Sequence, residues 1–404
     1  MGLLQESFAA ALFFNCGKGK NMELRIDLNR EYGIVLEGGG AKGAYQVGAW
    51  KALDEAGVKI SAIAGASVGS LNGALMCMGD LKRAEDIWKN ISYSDVMNVD
   101  DELMKNLKSK NFRSLDLNEV LNSSWQLVRD RGFDITPLRQ LMAGAIDEEK
   151  IRNSDRKLFA ITYSVTDRKE LAVDINQAEP GTMADMLLAS AYFMAFKNEK
   201  LQGKRYIDGG GVNNVPLDVL LDRGYRDIII IRIYGWGFDK ERVVKVPEDA
   251  NIHHIAPRQS LGGILEFEKR QARKNMTLGY YDGLRFLYGL SGRAYYIDAP
   301  YGEVYYFEKM MSEPDLVRSG MAVAGMETEA GDLEGYRYYT EEVFPRLAQK
   351  LKLKEDWDYK DLYLAMLEDM AKKLKIKRFK VYTVDELVKK VRVKVGSLDS
   401  VLPM

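Results

Sequence analysis

The chain has 404 residues, 46% hydrophobic and 29% charged, with a formal net charge of −1. That is an ordinary globular composition with length enough for more than one core, and so balanced a charge gives no reason to expect nucleic acid as a partner. Its two cysteines, Cys16 and Cys77, lie far apart and without metal-ligand spacing, which argues against a disulfide framework and fits a reducing cytoplasm.

Residues 1–31 read as an N-terminal extension. The apolar run Phe8 to Phe14 follows Glu6 and no basic residue, so a secretory signal is not expected, and Glu6 stands where myristoylation needs Ser or Thr. No later segment reaches about 18 uninterrupted apolar residues, so no transmembrane helix is expected. From Tyr32 the pattern becomes strand, turn, helix, strand. Tyr32 to Glu37 is a short apolar strand closed by glycines. Ala44 to Ala56 predicts a helix stopped by Gly57, Lys59 to Ala64 a second strand, and Leu71 to Met78 a second helix. This βαβα order predicts a parallel sheet covered by helices.

Residues 80–156 are charged and helical in pattern and read as a helical insertion. Leu158 to Thr166 and Glu170 to Ile175 predict a hairpin turning at Asp167-Arg168, and the isoleucine run Asp227 to Ile233 a central strand buried on both faces. Ile264 to Leu290 predicts a long helix. After Gly292 the chain turns tyrosine-rich and strongly charged, so the expected organisation is a main domain over 32–291 and an accessory region over 292–404.

Three stretches carry chemistry. Gly65-Ala66-Ser67-Val68-Gly69 is a G-x-S-x-G elbow between a predicted strand and a predicted helix. Such a turn pushes the serine hydroxyl out above the sheet edge, Gly65 and Gly69 remove side chains that would collide with it, and the helix N-terminus favours developing negative charge. Gly38-Gly39-Gly40-Ala41-Lys42-Gly43 fits the dinucleotide fingerprint G-x-G-x-x-G, but no acidic residue lies between Glu55 and Asp80 to hold a ribose, and Lys42 precedes Gly43 with no Ser or Thr following, which is the wrong order for a P-loop. The favoured reading is an oxyanion cradle of backbone N–H groups from Gly38, Gly39, Gly40, Lys42 and Gly43. Far along the chain, Asp208 ends a strand-like run before Gly209, Gly210 and Gly211, glycines that let the backbone pass close to another segment. Asn213-Asn214-Val215-Pro216 then begins a further helix.

This ordered set, GGGAKG, GASVG, then DGG with NNVP after it, resembles the patatin-like phospholipase family over roughly residues 32–235. The resemblance implies a three-layer α/β/α sheet, Ser67 as nucleophile, Asp208 as general base, the Gly38–Gly43 loop as oxyanion hole and Lys42 at the family's basic position. It implies hydrolysis of acyl esters of phospholipids, lysophospholipids or glycerides by a Ser–Asp dyad with no metal or cofactor. The chain departs from the family in the segment before DGG, where Ser190-Ala191-Tyr192-Phe193-Met194-Ala195-Phe196 lacks the usual proline, a difference that touches the shape of the acyl pocket and leaves the dyad intact.

The only two histidines, His253 and His254, follow the serine and aspartate in α/β-hydrolase order. They sit in an alternating run where one of the pair must face away from any one site, so the dyad is the favoured reading. Lys372 to Lys394 holds ten Lys or Arg against two acids, a face that reads either as solvated or as reversible contact with anionic lipid. The expected partner is a lipid or acyl-ester substrate met at a membrane surface from the cytoplasm. The competing function class is a catalytically idle lipid- or protein-binding module on the same fold.

Overall fold

The computed structural model describes residues 22–98, 134–192, 200–235, 244–326 and 336–399. The chain divides into two compact units, Ile26–Phe286 and a second that runs from Leu287 onward and includes the stretch ending at Arg25.

The larger unit is built on one sheet. Its strands are β1 (Glu31–Leu36), β2 (Lys59–Ala66), β3 (Lys157–Ser164), β4 (Lys169–Asp174), β5 (Tyr206–Asp208), β6 (Asp227–Ile231) and β7 (Asn251–Ile255), in the order β4-β3-β2-β1-β6-β7 with β5 paired to β3. β7, β6, β1, β2 and β3 run parallel, while β4 and β5 pair antiparallel with β3. The parallel strands are joined through α1 (Ala44–Glu55) and α2 (Val68–Cys77), as the βαβα pattern requires. The β3–β4 hairpin turns at Arg168, which adopts φ 55.

Alternation along the strands separates two buried faces. Val35, Ala62, Ala64, Ala66, Phe159 and Ile161 pack with Val219, Leu220 and Leu221, which lie on or beside the helix Leu217–Leu221. On the other face, Leu36, Ile63 and Leu158 crowd Gly73 of α2, where an added Cβ would lie 2.9 Å from Leu158. Helices thus cover both faces, which is the three-layer α/β/α arrangement.

Of the helical insertion expected over 80–156, the described part holds α3 (Leu81–Asn90), α4 (Thr136–Ala145) and a short turn at Glu148–Arg152; residues 99–133 lie outside the described residues. The long helix expected from Ile264 begins at Lys269 and ends at Tyr288 (α5). Ile264 is drawn out of the helix because its carbonyl accepts the Ala41 N–H at 2.7 Å and because Gly40 presses against that same carbonyl.

The smaller unit is mainly helical. Its core joins Tyr295, Ile297, Tyr306, Val317, Phe344, Leu362, Tyr363, Leu367 and Leu387, with a two-stranded parallel sheet of Tyr296–Asp298 and Val381–Thr383. Glu368 is 7% exposed and accepts the N–H groups of Arg293, Ala294 and Tyr295 at 2.7–2.9 Å, so its charge is buried but fully used. The basic run falls on a helix end, a loop, a strand and a final helix. Several of its cations are paired: Lys373 with Asp369, Lys380 with Glu386 and Arg392 with Glu313.

Two glycines set the approach of α1 to α5. A Cβ on Gly48 would stand 1.9 Å from the Met276 carbonyl, and one on Gly279 would stand 1.9 Å from that of Tyr45. Gly48→Ala is therefore expected to destabilise the protein by about 1–3 kcal/mol through overpacking. Gly144→Ala, in α4 with nothing within 4 Å of the new methyl, is expected to stabilise by up to about 1 kcal/mol through helix propensity. Denaturant melts of the two variants check the contrast, and equal effects would contradict the packing described.

Candidate active site

β3 acts as a ruler that brings the two motif residues together. Its one edge pairs first with β2 and then with β5, because β4 occupies the other. Ala66, the last residue of β2, lies opposite Ile161, and Asp208 of β5 lies opposite Thr162. The residue after Ala66 is Ser67, so the G-x-S-x-G elbow and the aspartate meet end to end. The Ser67 hydroxyl donates to Asp208 Oδ2 at 2.7 Å.

Ser67 has φ 52 and ψ −127, a conformation that non-glycine residues rarely adopt and that costs roughly 1–3 kcal/mol. The surroundings force it. A Cβ on Gly65 would lie 2.5 Å from Gly69, and one on Gly69 would lie 2.2 Å from the Leu36 carbonyl, so both flanks of the turn are closed to side chains. The polar groups of Ser67 itself are all used. The Ser67 N–H donates to Ser190 Oγ at 3.1 Å, Ser190 Oγ donates in turn to the Ile161 carbonyl at 2.5 Å, and the Ser67 carbonyl accepts from the N–H and hydroxyl of Ser70. On the other side, Asp208 N–H donates to the Tyr192 carbonyl, and Gly209 presses so closely on Ile161 that a Cβ would fall 2.0 Å from its oxygen.

The carboxyl of Asp208 is pushed up to about 6. Burial is the main cause, opposed by the hydrogen bonds it accepts from Ser67 and from the Gly210 N–H at 2.7 Å. Among the described residues, no cation contributes to that environment. The residue is only half-buried by accessible surface because one side of it faces a cavity.

That cavity, of about 160 Å³, is lined by Gly38, Gly39, Gly40, Ser67 and Asp208 at its polar end. Asn214 joins that end, and apart from Asn72 the other side chains of the wall are apolar, among them Leu71 and Leu75 of α2, Trp88 of α3, Met142 of α4, and Ile264 with Phe267 from the segment before α5. α3 and α4, both from the expected insertion, thus form part of the cavity wall. Phe193 to Phe196, the segment that departs from the family pattern, lies outside the described residues.

The glycine loop passes close over the serine: a Cβ on Gly38 would lie 3.1 Å from that of Ser67. Its residues are used differently. Gly38 N–H donates to the Asn214 carbonyl at 3.2 Å and Lys42 N–H to the Gly39 carbonyl at 3.2 Å, while the Lys42 ammonium reaches the Tyr234 carbonyl. Gly43 packs on Val68, Trp88 and Asn72. Among the described residues, the N–H groups of Gly39 and Gly40 have no acceptor. Pro216 stands just before the helix Leu217–Leu221, one position earlier than its expected place in the first turn.

Both histidines lie on β7, separated from β2 by β6 and β1. His253 contacts the rings of Tyr32 and Phe286, at 6.4 and 5.5 Å between centroids, and burial lowers its pKa; His254 is exposed. Neither lines the cavity that holds Ser67 and Asp208. Two side chains not singled out in the sequence as site residues, Ser190 and Glu37, bond to the elbow and to the segments that lie against the glycine loop. Both act through bonds to backbone atoms more than a hundred positions away, which leave no local pattern.

Residues 34–221 match the patatin-like phospholipase family. Patatin-like phospholipase domain-containing protein 7 of Rattus norvegicus is 27% identical over 209 residues, which is 52% of this chain and 14% of that protein. Neuropathy target esterase sws of Drosophila melanogaster is 28% identical over 201 residues, 50% of this chain and 13% of that protein. Lysophospholipase nte1 of Aspergillus terreus is 59% identical over 46 residues, 11% of this chain and 3% of that protein. The match thus spans only a small fraction of these relatives' length. The chain carries a patatin-like phospholipase domain.

The raised Asp208 pKa has a consequence for stability. The unfolded carboxyl titrates near 3.8 and the folded one near 6. The stability this group allows is therefore full below pH 3.8 and is lost as pH rises to about 6, up to about 3 kcal/mol. Asp208→Asn keeps an acceptor for Gly210 and a donor for Ser67 and removes the charge. It is expected to raise the thermal midpoint at pH 7.5, with the gain shrinking below pH 6 and absent near pH 4. Melting curves across that range check it, and a variant less stable than wild type at pH 7.5 would contradict it.

Proposed function

We propose that this protein is a lipid acyl hydrolase that works through a Ser67–Asp208 dyad. The observation that carries the reading is the 2.7 Å bond from the Ser67 hydroxyl to a carboxylate at the polar end of an apolar cavity. Asp208 takes the proton as Ser67 Oγ attacks the ester carbonyl, and returns it to the departing alcohol. Water then enters by the same route and releases the fatty acid from the acyl-serine. The N–H groups of Gly39 and Gly40 receive the oxyanion, assisted by the N-terminus of α2. A base titrating near 6 is ionised at neutral pH and still basic enough to accept a proton in the transition state.

The apolar walls favour an acyl chain over a polar substrate, which fits the esterase and lysophospholipase names of the relatives. Phospholipids, lysophospholipids and glycerides all present such a chain. Contact with the lipid surface is reversible in this reading: among the described residues no helix is long and apolar enough to cross a membrane. The exposed cations Lys375, Lys377, Lys389 and Lys390 supply an attraction to anionic headgroups that salt would weaken.

Two outcomes test this. Ser67→Ala is expected to abolish hydrolysis of a soluble p-nitrophenyl ester and labelling by a fluorophosphonate, and Asp208→Asn to lower kcat at least about a thousandfold, whereas His253→Ala and His254→Ala stay within a few-fold of wild type. Wild-type turnover by folded Ser67→Ala, or a thousandfold loss from either histidine change, would overturn the dyad. Second, kcat/KM is expected to rise with pH through a midpoint near 6, because the base must be ionised. A pH-rate profile flat from 4.5 to 8 would remove Asp208 from that role.

A further inference from the structure

Directly before the glycine loop stands Glu37, 2% exposed and absent from the cavity wall. A carboxylate so deeply buried must be compensated, and this one is compensated in an unusual way. Oε2 accepts from Arg232 Nε at 3.0 Å, from Ile233 N–H at 2.7 Å and from Tyr234 N–H at 3.0 Å. Oε1 accepts from Gly235 N–H at 3.2 Å and from Asn214 Nδ2 at 3.3 Å. Every one of these groups is a donor, and a carboxylate is the only side chain that can accept from all of them at once.

The two segments it gathers touch the start of the glycine loop, at Gly38 and Gly39, whereas Gly40 and Ala41 lie against the Ile264 carbonyl. A Cβ on Gly235 would stand 1.8 Å from the Gly38 carbonyl, and one on Gly39 would stand 2.9 Å from Gly235 Cα, so 233–235 lies flat against Gly38 and Gly39. Asn214 grips Gly38 from both sides of its peptide units, accepting its N–H and donating to its carbonyl. From beneath, Gln46 donates to the Glu37 carbonyl at 2.7 Å, and Asn72 ties Gln46 to the Gly43 carbonyl while accepting from Trp88. The loop's backbone is thereby held on both faces, while Gly39 and Gly40, whose N–H groups have no acceptor among the described residues, line the cavity.

We propose that Glu37 is a positioning residue for the oxyanion cradle: it fixes the 233–235 segment and Asn214 against Gly38 and Gly39, so that the cradle is preorganised before the transition state forms. The inference rests on the hydrolase reading above. Glu37 touches no reacting atom, so its removal should weaken binding of the transition state and leave binding of the ground state nearly unchanged.

Glu37→Gln tests this. The glutamine oxygen can serve the three donors on the Arg232 side, but its amide then points an N–H₂ at Gly235 N–H and Asn214 Nδ2, and the half of the clamp nearest the glycine loop is lost. With the p-nitrophenyl ester, kcat is expected to fall about a hundredfold with KM within about threefold, the size of one misplaced oxyanion donor. An alkyl boronic acid, which forms a tetrahedral adduct on serine, should bind weaker by about the same factor as the loss in kcat/KM, while a non-hydrolysable ether analogue should bind as it does to wild type. Glu37→Asp keeps the charge on a shorter arm and should recover part of the loss. Wild-type kcat in folded Glu37→Gln would overturn the inference. So would equal weakening of the boronic acid and the ether, or loss of folding in both variants, since each would make Glu37 a residue of the fold alone. Absence of Ser67-dependent hydrolysis in the wild-type protein is a separate result and would sink the hydrolase reading itself.

Discussion

Two positions to either side of Ser67, at Gly65 and Gly69, no side chain fits. With Gly65 against Gly69 and Gly69 against the Leu36 carbonyl, the end of β2, the start of α2 and the end of β1 meet backbone to backbone. That crowding decides much else. It fixes Ser67 at φ 52, forces its hydroxyl away from the sheet, and places the N-terminus of a ten-residue helix directly behind it. It also requires that the N–H of Ser67 find a partner outside the turn, which Ser190 supplies, and that the strand beside it end where Asp208 can arrive. A strained turn persists only where its neighbours leave no alternative, and here each neighbour is tied by its own hydrogen bonds.

Electrostatically, Asp208 has no cationic partner among the described residues. Asp208 sits among apolar residues with a hydroxyl and one backbone N–H as its hydrogen-bond partners, so its ionised form is held at the expense of stability. Glu37 is the opposite case. It is more deeply buried, yet five donors converge on it, an environment suited to holding backbone in place and not to accepting a proton. Two carboxylates within one region thus meet opposite environments, one starved of donors and the other saturated.

Much of this was legible in the sequence because it is local. The glycines around Ser67 and Asp208, the isoleucine run of β6 and the apolar run of β3 each encode a conformation within a few residues. What was not legible is what the chain does at long range. Nothing near Ser190 says that its hydroxyl will accept from Ser67, and nothing near Glu37 says that it will be met by residues 214 and 232–235. The helix expected from Ile264 illustrates the limit from the other side. Its apolar pattern continues, but the Ile264 carbonyl is claimed by Ala41, and the helix begins at Lys269 instead. The histidine pair was read correctly as strand, and the sheet order then places β6 and β1 between that strand and β2.

The central claim is that an acyl group resides for a time on Ser67. The most direct measurement is to mix the protein with an activated fatty-acyl ester, quench in acid within the first turnover, and map the acyl group by peptide mass spectrometry. The account predicts a single acylated peptide, the one that contains Ser67, formed in a burst and lost on further incubation. Rapid hydrolysis with no acylated peptide, or an acyl group on any other residue, would contradict it.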